Sequence, residues 1–168
     1  MAFAPFHEMF PYLAERQTRV ITVLPESNLR EPLGLPPGNY VFLELFCDEP
    51  KCDCRRVFFS VVTSHRKEVE AVVSWGWEDP AFYADWMRND DPGVIASLVG
   101  PALSPGAPQS NLAPGILYLV RELLITNVPY VKRIKRHYRI FRDRIEGRSA
   151  GLSAEAEAAT ETETEWIV

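Results

Sequence analysis

The chain has 168 residues, which is long enough for one domain with its own hydrophobic core. Hydrophobic residues make up 46% of the sequence and charged residues 24%, an ordinary globular composition, and the net charge of −5 argues against a protein that is basic throughout. No apolar run approaches the roughly 20 residues of a membrane helix, and residues 1–16 lack the pattern of a signal peptide, so we expect a cytoplasmic protein without a membrane partner.

The first predicted elements are short. Apolar residues near helical spacing predict a short helix or an irregular lead-in over residues 1–17, which Pro5 and Pro11 limit in length. A β-branched stretch predicts a strand over 18–24, and a loop dense in proline and glycine follows.

Three longer strands come next, over 39–47, 55–64 and 68–77, where aromatic and β-branched residues dominate. Their short connections favour antiparallel neighbours, so we predict a meander that the strand at 18–24 joins as a fourth member. Residues 57–62 are almost continuously apolar, which predicts that helices cover at least one face of this sheet of three to four strands.

Helical patterns fill the C-terminal half of the chain. Asp79 followed by Pro80 predicts an N-cap for a helix over 78–90. Two further helices are predicted over 116–126 and 130–148. The fold class is therefore α+β: a small antiparallel meander covered by C-terminal helices. We expect one domain over 1–148 and an acidic, low-complexity tail over 149–168 that ends in the apolar tripeptide Trp166-Ile167-Val168.

All three cysteines lie in the predicted turn 47–54, which reads CDEPKCDC. Their odd number and crowding argue against a disulfide framework. Cys52 and Cys54 have one residue between them rather than two, which argues against a dithiol redox site. Two interpretations stay open: reduced thiols, or a metal site in which Cys47, Cys52 and Cys54 bind Zn²⁺. The Cys-Asp-Cys step resembles small bacterial zinc modules attached to larger proteins, but the second half of their motif is missing and no property is carried over.

Tetrahedral zinc needs a fourth ligand. His65 follows the strand at 55–64. About eight extended residues span roughly 25 Å at about 3.3 Å each, so the strand places His65 at the far end of the sheet. His137 borders the apolar stripe of the last helix and can point inward, so we predict it as the fourth ligand. The alternative is a histidine that packs against the sheet. Weaker options are His7, Asp48 and Asp53.

The last helix is strongly cationic: residues 132–148 hold eight basic and two acidic residues. Its basic face predicts a polyanion-binding site composed of Lys132, Lys135, Arg136, Arg139 and Arg142. The alternative is a solvated helix face paired with acidic groups of the same chain. The tail carries five glutamates and no basic residue over 151–168, so it can compete for this face within one chain or in a neighbouring copy.

No phosphate-binding glycine loop, nucleophile elbow or His-Glu-x-x-His helix occurs in the sequence. We therefore expect a non-enzymatic, zinc-stabilised binding module whose basic helix contacts a polyanion, such as nucleic acid, or an acidic protein. Two alternatives stay open. One is a thiolate-metal enzyme with an open coordination position, and the other is a metal-free protein that forms homo-oligomers through its tail.

Overall fold

The structure is a computed structural model, and it describes residues 2–28, 30–148 and 166–168. It combines one β-sheet with helices, which confirms the α+β class. The strands are β1 (Phe3–Pro5), β2 (Arg19–Val23), β3 (Gly38–Cys47), β4 (Arg56–Thr63), β5 (Val69–Gly76), β6 (Ala102–Leu103) and β7 (Trp166–Ile167). The helices are α1 (Phe6–Met9), α2 (Pro11–Gln17), α3 (Arg30–Leu33), α4 (Pro80–Met87), α5 (Pro92–Val99), α6 (Ala113–Leu119) and α7 (Val128–Glu146).

The sheet is larger than the sequence predicts. Among the described residues the sheet has seven strands. Six run in the order β6-β5-β4-β3-β2-β7, and the seventh, β1, lies off this path and pairs with β3. The predicted antiparallel strands β2 to β5 are all neighbours in this order, but the prediction of only three to four strands is wrong. The three additional strands are two or three residues long, too short to show a periodic pattern in the sequence.

One face of the sheet carries the core. In β3 the side chains of Tyr40, Phe42, Glu44 and Phe46 are buried, while the residues between them are only half-buried. This alternation follows from the two-residue repeat of a strand. The last helix lies on the buried face, where the Phe46 ring packs against Phe141 at 5.6 Å.

Helix α7 begins and ends where its sequence dictates. The side chain of Asn127 accepts a hydrogen bond from the backbone N–H of Tyr130, and Gly147 ends the helix with φ 68°. The preceding helical segment differs from the prediction, because α6 continues into a π-helical turn over Val120–Leu124.

The described end of the tail pairs with the sheet. Strand β7 runs parallel to β2, and the backbone N–H of Val168 donates to the carbonyl oxygen of Thr22 at 2.9 Å. The low-complexity stretch predicted over 149–165 lies outside the described residues. Within the described part of the chain, no helix has both the length and the apolar character needed to cross a membrane.

Candidate metal centre and the adjoining cationic pocket

The three cysteines meet at one end of the sheet. Cys47 is the last residue of β3, and Cys52 and Cys54 lie in the connection to β4. Their sulfur atoms lie within 4.8 Å of one another, close enough to hold a metal ion. All three cysteines are free thiols.

The backbone of this connection is sharply turned. Lys51 and Arg55 have positive φ angles of 63° and 47°, a conformation that side chains with a Cβ rarely adopt. These two residues flank the segment that contains Cys52 and Cys54. Such conformations cost on the order of 1–3 kcal/mol each and persist where surrounding contacts hold them. The crowding of the sulfur atoms is therefore a fixed feature of the loop.

Without a bound cation, the thiols of Cys52 and Cys54 favour the protonated form. Burial, followed by contact with Cys47, raises the pKa of Cys52 above its ordinary value. Burial, followed by repulsion from Cys52 and Cys47, raises the pKa of Cys54 further. Both causes disfavour the thiolate, so a bound cation is the interaction that would favour it.

Helix α7 holds the cysteine loop in place. The buried guanidinium of Arg142 donates hydrogen bonds to the carbonyl oxygens of Cys47 at 2.7 Å and Glu49 at 2.9 Å. Glu146 pairs with Arg142 at 2.5 Å and accepts a 2.6 Å hydrogen bond from the backbone N–H of Lys51. This hydrogen bond and the nearby cation of Arg142 lower the pKa of Glu146, despite an opposing effect of burial.

The turn of α7 that precedes Arg142 contacts the end of the cysteine loop. The hydroxyl of Tyr138 accepts a 3.2 Å hydrogen bond from the backbone N–H of Arg55. The same hydroxyl lies 3.3 Å from a carboxylate oxygen of Asp53, to which it donates. The cysteine loop and the basic helix are therefore one packed unit, tied together by Arg142, Tyr138 and Glu146.

His137 does not join the three cysteines. It is fully buried, and its ring stacks on Phe6 with centroids 4.3 Å apart. Its Nδ1 lies 2.7 Å from a carboxylate oxygen of Glu44, and its Nε2 lies 2.7 Å from the side-chain oxygen of Gln17. Both ring nitrogens therefore form hydrogen bonds within a buried network. This agrees with the alternative interpretation, in which His137 packs against the sheet.

A pocket of about 1060 Å³ opens between the cysteine loop and α7. Its wall includes Cys52, Trp77 and Tyr138. It also includes every residue of the predicted polyanion site: Lys132, Lys135, Arg136, Arg139 and Arg142. In total, eight basic and four acidic residues line the pocket. The candidate metal site and the basic helix face thus share one cavity.

The cations of this pocket have different surroundings. Arg55 pairs with Asp53 at 2.8 Å and with Glu78 at 3.2 Å, and Arg142 is only 5% exposed. Arg136 is half-buried and has contacts of its own. The remaining members of the predicted site are exposed and form no ion pair within the part of the chain that the structure describes: Lys132, Lys135 and Arg139.

Sequence reasoning missed the anchoring role of this helix. It assigned Arg142 to polyanion contact, whereas in the structure the Arg142 guanidinium bonds to carbonyl oxygens of the cysteine loop. It did not single out Glu146, although the four-residue spacing from Arg142 is a recognisable ion-pair signal on a helix. Tyr138 belongs to the buried core, and its hydroxyl also reaches the cysteine loop.

Comparison of the chain with protein-family models, curated proteins and solved structures finds no match.

Proposed function

We propose that this chain is a non-enzymatic, zinc-stabilised binding module whose basic helix contacts a polyanion. One observation carries the proposal: Cys52 and the five basic residues expected to bind a polyanion line the same pocket. A metal on the cysteines would fix the loop that forms one wall of this pocket, and α7 forms the other wall.

The chemistry of the three sulfur atoms supports zinc. Thiolates are soft ligands that favour zinc over magnesium or calcium, and crowded thiolates need a compensating charge. The cysteine loop is preformed by its contacts with Arg142, Glu146 and Tyr138. Because the loop is already ordered, a metal can bind without ordering a flexible segment.

The exposed cations support a phosphate-bearing polymer. Lys132, Lys135 and Arg139 follow one another over about 10 Å of helix at a rise of roughly 1.5 Å per residue. If each meets a phosphate of a single strand, the affinity has a log–log salt slope of about −2. Binding should therefore weaken about 20-fold between about 50 and about 200 mM salt.

A fluorescence anisotropy titration with a labelled single-stranded oligonucleotide tests this proposal. We expect salt-dependent binding that falls at least about tenfold in the Lys135→Glu and Arg139→Glu variants. The matched control is Lys67→Glu, because Lys67 is an exposed lysine outside the pocket and its reversal changes the net charge equally. Absence of binding at low salt, or an equal loss in the control, would contradict the proposal.

An acidic protein is the alternative partner, and self-association through the tail stays a prediction. The described end of the tail pairs with β2 of its own chain, so self-association through β7 would require exchange of this strand between copies. A concentration-dependent molar mass measured by light scattering would support that exchange.

One observation favours a second candidate function. Among the described residues, no fourth histidine, cysteine or carboxylate joins the three cysteines. Three protein ligands and an exchangeable fourth position are typical of catalytic zinc sites, which favours a thiolate-metal enzyme. X-ray absorption of the zinc-loaded protein tests this candidate: the enzyme requires three sulfurs with one exchangeable oxygen, and four protein ligands would contradict it.

A further inference from the structure

Within the described residues, the cysteine cluster is reached from solvent through Cys52. Cys47 and Cys54 are fully buried, whereas Cys52 is half-buried and lines the cationic pocket. Any molecule that reaches a metal on these sulfurs from solvent therefore approaches through the pocket.

Two of the candidate fourth ligands are already engaged. Asp53, which lies between Cys52 and Cys54 in sequence, pairs with Arg55 through both oxygens and accepts from Tyr138. His137 is bonded to Glu44 and Gln17. Within residues 2–28, 30–148 and 166–168, no other acidic, histidine or cysteine side chain completes the group. The fourth position is thus left to a ligand from outside the described protein.

The charge of the pocket selects the type of ligand. Three thiolates and a divalent metal ion together have a net charge of −1. An anionic ligand at the fourth position therefore needs cations close by. Arg142 touches the cysteine loop, and Arg139 lies one helical turn farther from that loop. Lys135 lies about 10 Å from Arg142 along the helix axis, and Lys132 lies about 15 Å from it. The cations therefore extend away from the metal site in a line.

We infer that the pocket binds the phosphorylated end of a single-stranded nucleic acid, with the terminal phosphate at the metal and the following phosphates along Arg139, Lys135 and Lys132. This inference rests on the proposed function and adds an end preference to it. A phosphate oxygen would supply the fourth ligand to a metal held by Cys47, Cys52 and Cys54. No bond of the strand is broken, and no electron is transferred.

Two features favour nucleic acid over other polyanions. A terminal phosphate monoester carries nearly two negative charges and three acceptor oxygens, which exceeds the charge of an internal phosphate or of a carboxylate. The Trp77 side chain is half-buried in the pocket wall, where it contacts the rings of Trp75 and Tyr138, and we place a base of the strand against its remaining exposed part. An inorganic polyphosphate or an acidic peptide has no base to occupy that surface.

The test uses the full-length protein loaded with Co²⁺, whose visible absorption reports its ligands. Three oligonucleotides of one sequence are compared: phosphorylated at the 5′ end, phosphorylated at the 3′ end, and unphosphorylated. We expect at least one phosphorylated strand to bind about tenfold or more tightly than the unphosphorylated strand and to change the cobalt spectrum. Inorganic phosphate alone should change the spectrum in the same direction at higher concentration.

Variants separate the metal end of the site from the helix. Lys132→Glu should lower the affinity for the phosphorylated strand and leave the spectral response to inorganic phosphate unchanged. The reason is that Lys132 lies farther from the cysteine loop than Lys135 and Arg139 do. Lys67→Glu, outside the pocket, should leave both unchanged. A Lys132→Glu protein that loses its response to inorganic phosphate would overturn the proposed direction of the strand.

Failure of this inference is distinguishable from failure of the proposed function. Equal binding of all three oligonucleotides with an unchanged cobalt spectrum overturns the end preference and leaves the basic helix as a polyanion site. Absence of binding by every oligonucleotide overturns both. A polyphosphate that binds more tightly than the phosphorylated strands overturns the nucleic-acid assignment.

Discussion

The guanidinium of Arg142 donates a 2.7 Å hydrogen bond to the carbonyl oxygen of Cys47. The two residues are 95 positions apart in the chain, and this bond joins the last helix to the first cysteine of the candidate metal site. It also removes Arg142 from the exposed cations of the helix, since the residue is only 5% exposed. One basic residue thus shapes the site while its neighbours on the helix remain available to a ligand.

Replacement of Arg142 by methionine should loosen the cysteine loop. The change removes the donor to the carbonyl oxygens of Cys47, in a buried contact, and Glu49, in a part-buried one. An unsatisfied buried polar group costs about 1–3 kcal/mol. We expect Arg142→Met to lower the free energy of unfolding by about 2–4 kcal/mol in urea titrations of the metal-free protein. Arg139→Met, one turn away and exposed, should stay within about 0.5 kcal/mol of the wild type. Equal effects of the two changes would contradict the anchoring role.

The buried pair of His137 and Glu44 should stabilise the fold without holding metal. His137→Leu leaves the buried carboxyl group of Glu44 without its hydrogen bond to the imidazole, so we expect a loss of about 1–3 kcal/mol in the free energy of unfolding. Glu44→Leu in the same background should recover part of the loss, because both polar partners are then gone. Additive effects in this double-mutant cycle would show that the pair does not interact.

Stability of the metal-free protein should fall as the pH rises. The folded protein has raised thiol pKa values at Cys52 and Cys54, so it retains protons that the unfolded chain releases near its ordinary thiol pKa of about 8.5. The stabilisation is complete below that pH and is lost as the pH rises toward the folded pKa values. Metal binding displaces the same protons, so the apparent metal affinity should rise with pH.

Urea titrations at about pH 7 and about pH 9.5 test this prediction. The difference in stability between the two pH values should be smaller in Cys54→Ser, which lacks the thiol with the most strongly raised pKa. A wild-type protein that gains stability with pH in the absence of metal would contradict the raised thiol pKa values.

Trp166 should anchor the C-terminal strand. The guanidinium of Arg19 lies 4.4 Å from the centre of the Trp166 ring and 4.1 Å from that of Tyr130, so the cation is held between two aromatic rings. We expect Trp166→Ala to lower the free energy of unfolding by about 1–3 kcal/mol through loss of ring packing and the cation–π contact. Ile167→Ala is the control, because Ile167 is 55% exposed and should change stability by less than about 0.5 kcal/mol. An equal effect of both changes would argue against the anchor.

The sequence was informative where the signal is local. The cysteine cluster occupies eight consecutive residues, so the nearness of its sulfur atoms required no knowledge of the fold. The antiparallel neighbours β3, β4 and β5 followed from short connections between residues of high β-propensity. Strands of two residues, such as β6 and β7, exist only through pairing with a neighbour and leave no pattern of their own.

The roles of α7 depended on contacts between distant parts of the chain. The helical wheel correctly brought His137 inward, but it could not show that Glu44 of β3 and Gln17 of α2 would face the imidazole. The same wheel put Arg142 among the exposed cations. The cysteine loop, which folds over the end of the helix, buries it instead. Periodicity predicts the direction of a side chain and not the identity of its partner.

Element-specific metal analysis of the purified protein tests the central claim most directly. We predict about one zinc per chain in the wild type, loss of that zinc in Cys52→Ser, and its retention in His137→Gln. Circular dichroism checks that each variant is folded. A folded wild-type protein that contains no stoichiometric metal, even after incubation with zinc, would contradict the account. So would a folded His137→Gln variant that loses the metal.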